Sequence, residues 1–168
     1  MTPDDIRTLI DYNYWARNRM LASVAQLPAD QLTRPMGSSF SSVLDTVTHI
    51  YMAEWIWYRR WLGQPPVRPD LSGLVDVEQV RTAWVPLERD IRAFVEGLGA
   101  EGLVRSLEYR SLAGQPATSQ FWEMIAHVVN HGTYHRGQIA TFLRQLGGTP
   151  AQSTDMIVFF RERGAAAR

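Results

Sequence analysis

Apolar side chains recur three or four residues apart at Ile6, Leu9, Ile10, Tyr14, Met20, Leu21 and Val24, which predicts an amphipathic helix at the start of the chain. Thr2 before Pro3, Asp4 and Asp5 supplies its beginning: a capping hydroxyl, a proline where no backbone donor is needed, and acids beside the positive end of the helix dipole. The pattern stops at Leu27-Pro28, and a polar connection leads to the serines at 38, 39, 41 and 42. From Val43 to Leu62 a second helix is apolar around most of its circumference, with Trp55, Trp57, Tyr58 and Trp61 crowded near its end. Such a helix belongs at the centre of a bundle or at an interface between subunits.

Gly63 ends that helix, and Gln64 to Val75, with Pro65, Pro66, Pro69 and Gly73, cannot continue it. The segment is long enough to cross from one end of a bundle to the other. Asp76 is placed to cap a third helix reaching Glu96, with Pro86 expected to kink it and Gly97 and Gly99 to stop it. Between Leu103 and Gln120 the alternation of Leu107, Tyr109 and Leu112, with a Gly114-Gln115-Pro116 turn, predicts a small hairpin or irregular excursion. Thr118 or Ser119 then caps a fourth long helix, Phe121 to Leu146, closed by Gly147-Gly148-Thr149-Pro150. Asp155 to Arg163 forms a short terminal helix, with Ile157, Phe159 and Phe160 expected to pack back on the rest. The expected fold is an all-helical bundle of four long helices with a long crossover and a short C-terminal helix.

A chain of 168 residues, 45% hydrophobic, suits a single domain spanning 1–168. Seventeen basic against seventeen acidic side chains give no formal net charge, so nothing draws the protein to nucleic acid or to an anionic membrane. No stretch approaches the roughly 20 apolar residues of a membrane span, and no signal peptide opens the sequence, which leads to the expectation of a cytoplasmic protein. With no cysteine in the chain, any thiol chemistry needs a thiol carried by the substrate.

Candidate chemistry lies in the histidines: His49 on the second helix, and His127, His131 and His135 on the fourth. Residues four apart share a helix face about 6 Å apart along the axis, close enough for two imidazoles to meet one ion. His127 and His135 are separated by about 12 Å of rise, too far for ligands whose metal–nitrogen distances are near 2.1 Å. Phe121, Ile125, Val128, Ile139, Phe142, Leu143 and Leu146 define the buried stripe. His135 falls within it, His131 at its edge and His127 further round, which selects 131 with 135 and leaves His127 as an ordinary peripheral histidine. His49 is the remaining histidine with an interior helix beneath it, and completes a set of three.

Two other metal chemistries do not match, and a third, a haem between histidines, has no supporting signature. A zincin protease needs glutamate directly after the first histidine, and position 132 is glycine. No histidine has the glutamate three residues earlier that ferritin-type di-iron sites require. Around the ligands, Tyr134 reads as a solvated position. Asn130, Arg136 and Gln138 could each support a ligand or face water, and Gly137 reads as a close helix-packing point.

His131-x-x-x-His135-Arg136-Gly137-Gln138, preceded by His127-Val128-Val129-Asn130 and followed by Leu146-Gly147-Gly148-Thr149-Pro150, resembles the DinB/YfiT-like family. The likeness extends through Tyr12-Asn13-Tyr14-Trp15-Ala16 and through His49-Ile50 with Ala53-Glu54. Arg17 stands where the family pattern has asparagine. The resemblance implies a four-helix bundle, a homodimer, and a divalent metal ion held by His49, His131 and His135, with zinc or nickel the first candidates for imidazole ligands. It also implies a small-molecule substrate, since characterised members include transferases that use low-molecular-weight thiols such as bacillithiol or mycothiol. Three expectations follow: a metal-dependent transferase that activates such a thiol, a metal-dependent hydrolase, or a non-enzymatic module that binds a metal or ligand.

Overall fold

The structure, a computed structural model, describes residues 1–65, 67–149 and 152–166. Pro150, the last residue of the expected stop signal, and Pro66 of the crossover lie outside the described residues. Helix α1 (Pro3–Val24) begins as its sequence dictates: the Thr2 hydroxyl accepts from the Asp5 amide, and the Asp5 carboxylate accepts from the Thr2 amide. A single turn, α2 (Ala29–Leu32), interrupts the polar connection, and Ser42 caps α3 (Val43–Trp61) by accepting from the Asp45 amide. Asp76 caps α4 (Val77–Val104) by accepting from the Gln79 amide.

Neighbouring side chains fix the direction of each helix. Arg7 bonds Glu96, Asp11 bonds Arg92 and Arg17 bonds Glu88, so α1 and α4 are antiparallel. Tyr51 packs on Trp84 and Trp61 on Phe94, so α3 and α4 run parallel. Parallel neighbours need a connection that returns the full length of the helix, which is what residues 62–76 provide. The fourth long helix, α5 (Phe121–Gln145), is antiparallel to α3, with His49 beside His135 and Trp57 beside His127. The core between these helices includes Ile6, Tyr14, Ile50, Trp84, Ile91, Phe121, Ile125 and Ile139, all buried.

The expected hairpin is present as β1 (Ser106–Arg110) and β2 (Pro116–Gln120), antiparallel, with Leu107 opposite Ser119 and Tyr109 opposite Ala117. Its pairing reaches the first residue of α5. Thr118 and Ser119 are therefore strand residues rather than caps, and the cap is Gln120, whose amide donates to the Glu123 carboxylate. Pro86 lies inside α4, and the backbone leaves helical geometry at Gly99, one of the two glycines expected to stop the helix, where φ is 59° and ψ is −174°; helical structure then resumes to Val104. Of the three apolar residues expected to anchor α6 (Met156–Ala166), Phe159 alone is buried, against Tyr12 and Trp15. Ile157 and Phe160 are exposed; polar contacts, including Glu162 to Arg19 and Trp15, also hold α6.

Candidate metal centre

The antiparallel contact between α3 and α5 brings His49, His131 and His135 together, and one ring nitrogen from each lies within 4.8 Å of the other two. His131 Nε2 is 3.2 Å from His49 Nε2 and 3.1 Å from His135 Nε2. Nitrogens that share one tetrahedral ion at about 2.0–2.1 Å sit roughly 3.3–3.4 Å apart, so the two spacings at His131 are near those of a common ion. Hydrogen bonding alone fits less well. An imidazole nitrogen carries either one hydrogen or one lone pair, so His131 Nε2 cannot make a good bond to both neighbours at once.

His135 Nδ1 lies 2.7 Å from the Gln138 side-chain oxygen, to which it donates, and this leaves the Nε2 lone pair facing the other two rings. Burial, followed by the neighbouring His135, lowers His49 to a pKa of about 4. His131 is likewise lowered to about 4 by burial and then by His135, His49 and His127. Both are neutral near pH 7, the form that offers a lone pair to a metal. Phe40, in the connection before α3, stacks on His49 at 3.9 Å between ring centroids and meets His135 edge-on at 5.4 Å, closing the apolar side of the cluster. Three histidines thus form a group that could hold a metal ion.

His127 stays outside this group. Its ring packs 5.1 Å from Trp57 and 5.8 Å from His131, at the periphery, where the helix wheel puts it. Tyr134 is exposed, as expected, and so is Asn130.

Compared with known families, the chain matches the DinB family over residues 2–161. The chain belongs to the DinB family. A relative named Protein DinB, from Bacillus subtilis (strain 168), is 26% identical over 149 residues, 83% of this chain and 84% of its own length. The DinB fold and the histidine cluster here rest on a buried polar network that the periodicity alone does not reveal. Glu54, 2% exposed on α3, accepts from Asn13 at 2.7 Å, Trp84 at 2.7 Å and Tyr14 at 3.3 Å. Asn13 in turn accepts from Arg136 Nη1 at 3.0 Å, and Arg136 Nη2 donates to Thr133. The network therefore joins α1, α3, α4 and α5 in the interior, with Arg136 next in sequence to His135. Desolvation raises the Glu54 pKa against the lowering effect of the Trp84 and Asn13 hydrogen bonds and of the Arg17 and Arg136 charges.

Gly132 is a point of close approach between α1 and α5. A Cβ there would lie 2.9 Å from Arg136 Nη1 and 3.1 Å from Asn13 Oδ1, whereas one at Gly137 would meet nothing within 4 Å. The packing role expected of Gly137 belongs to Gly132. Arg17, the departure from the DinB pattern, is buried between Tyr14 and Trp84 and bonds Glu88, so its charge is matched within the bundle. A signal for the network is visible in retrospect. Asn13 and Arg17 continue the Ile6, Ile10, Met20 stripe, and Glu54 follows Ile50 by one turn, so polar side chains occupy core-facing positions.

Proposed function

We propose that this DinB-family protein is a metal-dependent transferase in which His49, His131 and His135 hold zinc or nickel and a low-molecular-weight thiol is the nucleophile. The observation that supports this most is the convergence of three imidazole nitrogens in one cluster, with His135 oriented by Gln138. A divalent ion on three neutral ligands retains its double charge and an open coordination position, and so lowers the pKa of a thiol or water bound there.

The chain's own residues account for the rest. Gln138 holds the His135 tautomer, and Phe40 keeps bulk water from the His49 side of the cluster. The chain contains no cysteine, so the thiol comes from a substrate. No helix among the described residues is long and apolar enough to cross a membrane. The family resemblance supports a homodimer, which sedimentation velocity tests, and the balance of seventeen basic against seventeen acidic side chains gives nucleic acid no electrostatic hold.

The deciding experiment measures metal content by elemental analysis of untagged protein and conjugation of several thiols to electrophiles. Wild-type protein reconstituted with zinc or nickel is expected to bind about one ion and turn over, and His135→Ala to lose both. Equal conjugation rates in the two proteins would refute the transferase, and failure of the wild type to take up either metal would refute the site.

A further inference from the structure

Three arginines are buried among the described residues, and they differ in one respect. Arg17 bonds Glu88 and Asn18, and Arg136 bonds Asn13 and Thr133. Arg60, 8% exposed in the last turn of α3, makes no hydrogen bond and no ion pair with any described residue, and its Nε is fully enclosed without a partner. A guanidinium carries five N–H donors, and burying one without an anion is costly. Faces of Trp57 at 4.6 Å and Tyr109 at 5.5 Å from Cζ, together with the negative end of α3, offset part of that cost but accept none of the N–H bonds.

The open side of Arg60 lines a cleft of about 600 Å³ between the end of α3 and the hairpin. The Gln64 side-chain oxygen, buried and also without a partner, shares the wall of this cleft. Arg110 and Glu108, both exposed on β1, lie at its margin; Arg110 already donates to the Gly114 carbonyl. We infer that this cleft is an anion-binding subsite in which Arg60 receives the carboxylate or phosphate of a small ligand, the Gln64 side-chain oxygen being placed to accept from an O–H or N–H elsewhere on that ligand.

Position relates the subsite to the histidines. Arg60 follows His49 by eleven residues, three helical turns plus about 20°, so the two lie on one face of α3 about 16 Å apart along its axis. His127 and Trp57 fill the interval as a row of rings from His131 to the Arg60 guanidinium. An acid-bearing ligand anchored at Arg60 would extend along this row toward the cluster. That extension rests on the proposed metal-dependent function, whereas the anion subsite itself does not.

Calorimetric titration with succinate, inorganic phosphate and the neutral control succinamide tests the subsite. Wild-type protein is expected to bind at least one of the two anions saturably, the stronger identifying a carboxylate or a phosphate ligand, and to ignore the amide. Arg60→Gln is expected to weaken that binding at least tenfold, and His135→Ala to leave it unchanged, so failure of the metal site would not remove this one. Should Arg60→Gln not fold, the wild-type indole resonances decide, assigned with Trp57→Phe: the Trp57 signal should shift on adding the anion while distant indoles hold still. No saturable binding at millimolar anion, equal affinity in Arg60→Gln, or shifts confined to other indoles would overturn the inference.

Discussion

Gly132 and Gly137 lie on the same helix, one on either side of His135, and face opposite physical demands. Adding a methyl group at 137 meets open space and removes the entropic penalty of glycine in a helix interior, so Gly137→Ala is expected to gain about 0.5–1 kcal/mol. At 132 the same propensity gain is opposed by displacement of Arg136 from Asn13, which leaves buried polar groups unpaired at about 1–3 kcal/mol. Gly132→Ala is therefore expected to lose about 1 kcal/mol net, and urea denaturation of the two variants beside wild type measures the difference in sign. The histidine pair at 131 and 135 was legible because four-residue spacing on a helix converts directly into a shared face. The Asn13–Glu54 contact spans 41 positions, and no local pattern states which buried polar groups will meet across that distance. Gly137 was taken for the packing glycine in place of Gly132 for the same reason: a glycine's need for space depends on a residue from another helix, here Asn13 on α1.

At the scale of elements, helix starts with a capping side chain were readable at Thr2, Ser42 and Asp76, where one side chain satisfies free backbone donors close by. Boundaries set by neighbours were not. The start of α5 at Gln120 depends on how far β2 pairs with β1. Pro86 shows how tertiary packing overrides a breaker, because Val80, Trp84, Leu87 and Ile91 bury a continuous stripe through it while Pro86 itself is exposed. Its missing backbone bond and ring clash persist as a cost, about 3 kcal/mol in a helix interior. Alanine there relieves most of it and returns about 0.4–1 kcal/mol to the unfolded chain as entropy. Pro86→Ala is thus expected to stabilise the protein by about 2 kcal/mol, read as a higher urea midpoint; an unchanged midpoint would mean that α4 bends locally to avoid the clash.

In the whole molecule, the long crossover sets α3 parallel to α4 and leaves α3 antiparallel to α5, so a histidine near the start of one helix meets two in the middle of the other. Their proximity carries a consequence for stability in the metal-free protein. An unfolded histidine titrates near its ordinary value of about 6.5, while His49 and His131 in the folded protein titrate at about 4 because of burial and then the neighbouring His135. Between those values the unfolded chain holds more protons than the folded one, so stability rises with pH across the window. Acidification from pH 6.5 toward 4 should accordingly destabilise the protein, with no contribution from these two groups above about pH 7. Glu54 acts in the opposite direction, since its raised pKa means that the folded state takes up its proton first as pH falls. The histidine effect is therefore isolated by comparison with His131→Gln rather than read from wild type alone. Urea midpoints measured with a chelator at pH 7.5, 5.5 and 4.5 should fall less steeply in His131→Gln than in wild type, and identical slopes would show that His131 is not held neutral by its surroundings.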